Sequence, residues 1–304
     1  MRPAFRAGPV HVRVPATSAN LGPGFDTLGL ALDLHDDLVA RVVDDGLTID
    51  VAGEGEDLAR DESHLVVRAL RAGFELLGGQ PAGLELSCAN RIPHGRGLGS
   101  SAAAIIAGLL LARALVLGGD ETLTDAAVLE LADRLEGHPD NVAPALLGGL
   151  TVAWRDGAAV GALRLQCDER VRPVLLVPPF QASTEAARGL LPAAVPHADA
   201  AANSGRAALL VAALTTAPQH LYAATEDRLH QAYREPAIPA SIALVNALRA
   251  AGLPAVVSGA GPTVLVLARD DGEVEKARGA APGGWQSSVL SVAPRGGHQV
   301  AAAH

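Results

Sequence analysis

Pro93-His94-Gly95-Arg96-Gly97-Leu98-Gly99-Ser100-Ser101-Ala102-Ala103-Ala104-Ile105 is the stretch from which the rest of this chain is read. Glycines at 95, 97 and 99 let the backbone turn through conformations that a Cβ forbids. Two serines and a run of good helix formers follow, so the loop opens straight onto a helix. Free N–H groups of a first helical turn, with about half a positive charge from the macrodipole, make an anion site. The pattern is not a Walker A sequence, which ends Gly-Lys-Ser/Thr, because Gly99 stands before Ser100. The chain's single lysine is Lys276. A phosphate here would be held by backbone amides, hydroxyls and a metal. Taken alone, the glycines suit a flexible turn before a buried helix equally well. The surrounding order favours the anion site: a strand over 84–92, the glycine loop, then a helix to about residue 117.

Composition narrows the function. The 304 residues suit one large domain or two ordinary ones, and 49% apolar content supports a sizeable core. A net charge of −9 argues against coating nucleic acid or an anionic membrane, and 3% aromatic content leaves few platforms for stacking bases. Cys88 and Cys167 belong to no Cys-x-x-Cys pair and read as reduced thiols of a cytoplasmic protein. The amino terminus lacks an apolar stretch of signal-peptide length, and the apolar run 102–117 is short for a membrane span.

Upstream, Val10–Val14 alternates as a strand that Pro15 ends. Residues 15–26, Pro-Ala-Thr-Ser-Ala-Asn-Leu-Gly-Pro-Gly-Phe-Asp, form a loop too rich in special residues for a plain connection. Further strands are expected over 28–34, 37–43 and 47–51, with Asp44-Asp45-Gly46 as a hairpin turn between the last two. An amphipathic helix spans 63–77. A helix over 123–135 carries Glu130. Gly137 and Pro139 then break it, presenting His138, Asp140 and Asn141 together on a bend. After a strand from Leu147 the pattern loosens over 155–170, which places a domain boundary there. The carboxyl half reads strand, helix, helix, strand, strand, helix, strand, an α+β sandwich. In it, Ser183 is a candidate N-cap, with Thr184 and Arg188 on one helix face. Ser258-Gly259-Ala260-Gly261 reads either as a second glycine turn against the phosphate loop or as a tight strand-to-strand turn.

Three separated blocks carry a family resemblance: Val-Pro-Ala-Thr-Ser-Ala-Asn-Leu-Gly-Pro-Gly-Phe-Asp (14–26), the glycine loop (93–103) and Ser-Gly-Ala-Gly-Pro-Thr (258–263). With Glu-Gly-His-Pro-Asp-Asn-Val-Ala-Pro (136–144), they follow the order found in GHMP kinases, the superfamily of galactokinase, homoserine, mevalonate and phosphomevalonate kinases. The first block and the His-Pro-Asp-Asn, Ser-Thr-Glu-Ala-Ala-Arg and Tyr-Arg-Glu-Pro segments resemble the homoserine kinase branch. The resemblance implies an α+β, two-domain fold. Residues 1–165 would form an amino-terminal α/β ATP-binding domain with the Gly loop, and 166–304 a ferredoxin-like sandwich. It also implies ATP and Mg²⁺, L-homoserine as acceptor, a step towards threonine, and a homodimer.

Under that resemblance, Pro93, His94, Gly95, Arg96, Gly97, Leu98, Gly99, Ser100, Ser101, Ala102 and Ala103 would wrap the ATP phosphates. Ser100, with Ser101 beside it, would offer a hydroxyl to the metal. Glu130 would be the carboxylate ligand because it matches the family's Glu-Leu-Ala position, with Glu136 as rival. Asp26, with Asn20 beside it, would take the substrate ammonium, while Arg188 and Arg234 would take the carboxylate. Thr184 would place Arg188, Asn141 would hold the reacting hydroxyl, and His138 would complete the pocket. Asp140 is either a general base or a bystander to a reaction driven by positioning and metal electrostatics. The missing lysine argues against an Asp-Lys pair. The 60–65 region, with Ser63 and His64, is the candidate for adenine.

The nearest competing reading keeps the kinase but gives it an isoprenoid or sugar alcohol acceptor, which the arginine pair and Asp26 disfavour. A nucleotide-binding regulator without chemistry is another, disfavoured by the intact hydroxyl and carboxylate groups.

Overall fold

The computed structural model describes residues 3–301. Its first half runs β1 (Val10–Ala19), β2 (Leu28–Val43), β3 (Gly46–Gly53), α1 (Leu65–Leu76), β4 (Gly83–Asn90), α2 (Ser100–Leu115), α3 (Gly119–Thr122), α4 (Asp125–Glu136), α5 (Pro139–Leu147), β5 (Leu150–Asp156) and β6 (Ala159–Leu165). The second half runs β7 (Arg172–Val177), α6 (Thr184–Gly189), α7 (His197–Thr215), α8 (Leu221–Ala224), α9 (Pro239–Ala250), β8 (Ala255–Val257), β9 (Val264–Ala268), α10 (Asp271–Gly279), β10 (Gln286–Val289) and β11 (His298–Gln299).

The first sheet has the order β11-β1-β2-β4-β3, with β5 joined to β2 and β6 to β5. Pro15 does not end β1. The strand continues to Ala19, and its register against β2 shifts between Pro15 and Ala16. Proline removes one ladder donor, and a bulge absorbs the loss. The two strands expected over 28–43 are correspondingly one strand. It pairs with β5 before the irregularity and with β4 after it.

The hairpin expected at Asp44-Asp45-Gly46 does not form either. β4 lies between β2 and β3, antiparallel to one and parallel to the other. In the inner position β4 buries Leu84, Leu86 and Cys88, whereas β3, at the edge, buries Ile49 and Val51. Local alternation cannot distinguish these orders, because both place the same residues on the same face.

α2 is the spine of this half. Eleven of its side chains or glycines are buried, on every side, and α1, α4 and α5 pack around it with β1 behind. A helix apolar all round belongs in a core. Each fully buried Ile or Leu there contributes roughly 1.5–3 kcal/mol, which anchors the helix start where the glycine loop arrives.

The second sheet has the order β10-β7-β9-β8 with antiparallel pairing. Strands and the helices α9 and α10 alternate as in a ferredoxin-like sandwich, as the carboxyl half of the sequence implied. Val174, Leu176, Val264 and Val266 face α9 and α10, while Leu175, Leu265 and Leu267 join the core shared with the first half. That alternation is the strand's period of two. β11 returns to the first sheet beside β1, so the carboxyl end crosses back over the molecule.

Candidate active site

The glycine loop joins β4 to α2 and is fixed by two close approaches. A Cβ on Gly99 would lie 1.9 Å from Thr17 Oγ1, and one on Gly97 would lie 2.3 Å from the Ser258 carbonyl oxygen. Both residues have left-handed φ, 69° and 71°, which glycine alone adopts freely. Ser258 also donates from Oγ to the Gly97 carbonyl at 2.6 Å. The turn after β8 is therefore both a connection between antiparallel strands and a wall of the glycine loop. No side chain caps α2, and its first turn carries no acid. Its opening amides are left to an anion.

Two cavities meet at this helix start, and Ser100 and Ser101 line both. The first, about 290 Å³, is polar. The glycine loop, Asn20, Glu136, His138, Asp140, Asn141, Thr184, Arg188, Arg234 and Gly259 form its walls. The second, about 400 Å³, is largely apolar, with Leu38, Leu58, Leu65 and Val66 beside Asp36, Ser63, His64 and His94. His64 is buried, and neither of its ring nitrogens has a partner among the described residues. Burial, then the nearby His94, holds its pKa below the ordinary imidazole value. A neutral imidazole offers one donor and one acceptor.

Glu130 requires a correction. It lies on the exposed side of α4, opposite Val128, Leu129, Leu131 and Ala132, and pairs with Arg134 at 2.7 Å. The carboxylate that reaches the helix start is Glu136, at the other end of the same helix. Ser101 donates to its Oε1 at 2.6 Å. Burial raises its pKa despite that hydrogen bond, so the carboxylate is poorly compensated by the protein around it. Burial on α4 thus turns Glu130, at the family's Glu-Leu-Ala position, to solvent and away from both cavities, while its rival Glu136 lines the polar one.

His138, Asp140 and Asn141 come from the entrance of α5. The expected bend is the N-terminal cap of a new helix, with Pro139 at its first position. His138 Nδ1 stands 3.5 Å from Asp140 Oδ1, an ion-pair distance too long for a good hydrogen bond. Burial alone would lower the His138 pKa, but Asp140 and then Glu136 outweigh it and raise it. Asp140 is 1% exposed. Thr17 donates to Asn141 Oδ1 at 2.8 Å, which fixes the amide and leaves Nδ2 as its remaining donor.

The substrate-facing charges are arranged differently from expectation. Asp26 accepts from Arg188 at 2.5 and 3.2 Å, so the residues assigned to ammonium and carboxylate hold each other. Asn20 lines the cavity, but its amide ties two segments together: Nδ2 donates to the Gly259 carbonyl and Oδ1 accepts from the Asp26 amide. Arg234 is 1% exposed, yet it lines the cavity. Arg188 and Arg234 flank one aromatic ring, with their guanidinium carbons 5.5 and 5.7 Å from the Phe25 centroid. Cation–π attraction offsets part of the cost of holding two like charges near each other.

Other residues of the loop do not face the polar cavity. Arg96 donates to the carbonyls of His94, Pro178 and Pro179 and so braces the loop against the second half. Pro93 lines a small separate cleft with Arg96, and His94 lines the apolar cavity. Leu98, Ala102 and Ala103 are buried. Thr17, Phe25 and Glu136 carry more of the site than sequence reasoning assigned them. Phe25 lies inside the first block, where the polar residues carry the sequence signal and an aromatic ring carries none.

Known proteins share this arrangement. A family model described as the GHMP kinases N terminal domain matches residues 64–149, and one described as GHMP kinases C terminal matches 206–285. A homoserine kinase of Streptomyces avermitilis is 63% identical over 97% of this chain and 96% of its own length. The chain belongs to the homoserine kinases of the GHMP superfamily. A second Streptomyces homoserine kinase, from S. coelicolor, is 61% identical over 97% of the chain and 95% of its own length. Among solved structures, a homoserine kinase from Cytophaga hutchinsonii superposes with TM-score 0.81 at 26% identity, covering 98% of each chain. A mevalonate kinase from Leishmania major shares the fold alone, with TM-score 0.69 at 16% identity over 97% of this chain and 99% of its own. Membership of a kinase family implies ATP as the phosphoryl donor.

Proposed function

We propose that this protein transfers the γ-phosphoryl group of ATP to the side-chain hydroxyl of L-homoserine, giving O-phospho-L-homoserine and ADP on the way to threonine. The observation that carries the reading is the junction: one helix start, with Ser100 and Ser101, forms a common wall of an apolar cavity and a cavity holding two arginines. In this reading the apolar cavity takes the base, with His64 offering its donor and acceptor to the adenine edge. The amides of the glycine loop and of α2 take the phosphates.

Glu136 with Ser100 and Ser101 makes a set of hard oxygens, the kind Mg²⁺ accepts beside phosphate oxygens and water. Among the described residues no group of three His, Cys, Asp or Glu gathers, which suits a metal that arrives with the nucleotide better than a resident one. Bound there, Mg²⁺ would neutralise charge on the transferring phosphates.

An amino acid presents both charges that Asp26 and Arg188 now satisfy in each other. Its ammonium would go to Asp26 and its carboxylate to Arg188 and Arg234, exchanging one ion pair for two. Asn141 Nδ2 would donate to the reacting oxygen and orient its lone pair at phosphorus. The hydroxyl proton must leave as the O–P bond forms and the bond to ADP breaks. We favour its loss to the phosphate oxygens, since Asn141 cannot accept it. Asp140 as base is the second reading, supported by its buried Oδ1, which has no hydrogen-bond partner among the described residues.

Burial raises both thiol pKa values to about 12, leaving unreactive cysteines that suit the cytoplasm. No helix among the described residues is long and apolar enough to cross a membrane. A homodimer is our reading from the family resemblance. The test of function is coupled ADP release across homoserine, serine, threonine, mevalonate and galactose. Equal turnover with acceptors lacking amino and carboxyl groups would refute it.

A further inference from the structure

The segment Asp227-Arg228-Leu229-His230-Gln231-Ala232-Tyr233-Arg234 places a histidine one helical turn before the buried arginine. His230 is 1% exposed and does not line the polar cavity. Its two nitrogens meet opposite kinds of partner. Nε2 is 2.7 Å from the Gly22 carbonyl oxygen, which can only accept. Nδ1 is 3.0 Å from Arg234 Nη1, which can only donate. The partners therefore assign a neutral ring with its proton on Nε2 and a bare lone pair on Nδ1. Asp227 lies 3.6 Å from Nε2, and its carboxylate accepts the amides of Leu229, His230 and Gln231. That cap fixes the backbone from which the ring projects.

Arg234 spends Nη1 on two acceptors, His230 Nδ1 and the Gly259 carbonyl at 2.9 Å. Its Nε is buried with no partner among the described residues. With Nη1 committed and Nε enclosed, Nη2, which makes no hydrogen bond among the described residues, is the end of the fork left to receive a carboxylate. The Phe25 ring stacks on His230, 5.1 Å between centroids and 28° between planes, while also facing the guanidinium. Gly22 and Phe25 belong to the first-block turn, as does Asp26. His230 therefore ties the arginine of the second half to the loop of the first.

We propose that His230 is a positioning residue, which uses its Nδ1 lone pair and its Nε2–H bond to Gly22 to hold Arg234 with Nη2 turned to the substrate carboxylate. The inference rests on Arg234 gripping that carboxylate. A guanidinium otherwise has several rotamers, and a displacement of about 1 Å in a positioning group can cost on the order of 100-fold.

The test compares His230→Phe, His230→Asn and Arg234→Gln by steady-state kinetics with homoserine and ATP varied separately. Phenylalanine keeps the ring against Phe25 and loses both hydrogen bonds. Asparagine keeps an acceptor near Nδ1. His230→Phe should raise KM for homoserine about 10- to 100-fold, leave KM for ATP within about 2-fold, and be largely rescued by His230→Asn. A purely structural role would move both KM values or neither, with no rescue. If Arg234→Gln raises KM for homoserine but His230→Phe does not, this inference falls and the carboxylate reading stands. If Arg234→Gln leaves KM unchanged, the carboxylate reading falls and takes this one with it. Should His230→Phe fail to fold, ¹⁵N NMR of the wild-type imidazole at pH 7 decides: protonation at Nδ1 would overturn the proposal, and protonation at Nε2 alone supports it.

Discussion

Replacing Glu136 by glutamine separates the two candidate metal ligands on α4. The change keeps an acceptor for Ser101, whose hydroxyl now donates to Glu136 at 2.6 Å, and removes only the charge. Hydrogen bonds to a charged group contribute about 1.5–3 kcal/mol against about 0.5–1.5 for neutral ones, a difference of about 1–1.5 kcal/mol, which corresponds to roughly 5- to 13-fold. The Mg²⁺ concentration for half-maximal ADP release at fixed ATP should rise by that factor. Glu130→Gln should shift it less than about 2-fold, because an exposed i,i+4 pair contributes only about 0.3–0.5 kcal/mol. Stability should move the opposite way. Burial raises the Glu136 pKa in the folded protein. The folded state therefore favours the protonated form, and stability is lost as pH rises through the folded value. At neutral pH, without ligands, the glutamine variant should melt no lower than wild type, and its advantage should shrink on acidification from the raised folded value down to the ordinary glutamate range, below which it stays constant. An unchanged Mg²⁺ titration, or a Glu130→Gln variant with the larger shift, would refute the assignment.

Gly99→Ala should abolish measurable activity and lower Tm by several degrees, since its Cβ would meet Thr17 Oγ1 at 1.9 Å on a left-handed backbone; a variant with wild-type melting and kinetics would contradict the loop geometry. His64→Ala should raise KM for ATP roughly 2- to 12-fold, the loss of one neutral hydrogen bond, without altering KM for homoserine, and the reverse pattern would remove the base from that cavity. His138 supplies a pH test. Asp140 and Glu136 outweigh burial and raise its pKa, so its contribution to stability is full below the ordinary imidazole range and is lost as pH rises through the higher folded value. Melting curves should show wild type losing ground to His138→Gln as pH climbs from about 6 through that window; identical pH dependence would sink the pairing.

Much of the site was legible because its residues occur as short contiguous blocks. Gly95 to Ser101 and His138 to Asn141 are short segments that run into helix starts, and their chemistry follows from composition. Harder to read was anything set by packing across the chain. The choice between Glu130 and Glu136 depends on which face of α4 is buried, and six residues of helix rotate a side chain from solvent to the cavity. β4 slips between β2 and β3 without local notice: the two strands carry the same number of apolar residues, and either order keeps the same residues on the buried face. Asp26 and Arg188, 162 positions apart, each suited a zwitterion, but nothing local announced that they also suit each other.

The cations of the site explain why a lysine-free loop is workable. Arg188 is held by Asp26, Arg234 by His230 and Gly259 on one side of its fork, and Arg96 by three backbone carbonyls. The one lysine donates to the Ala251 carbonyl, between α9 and β8. None of these side chains is committed to phosphate, so the anionic tail of the nucleotide has only amides, the α2 dipole, serine hydroxyls and a metal to balance it. Half an elementary charge from a helix cannot neutralise a triphosphate. In the proposed reading a divalent ion would carry most of the remainder, and Glu136, a half-buried carboxylate with its pKa raised by burial, would supply the matching negative charge. The arginines, freed from that duty, would in the same reading distinguish an amino acid from any neutral alcohol of the same length.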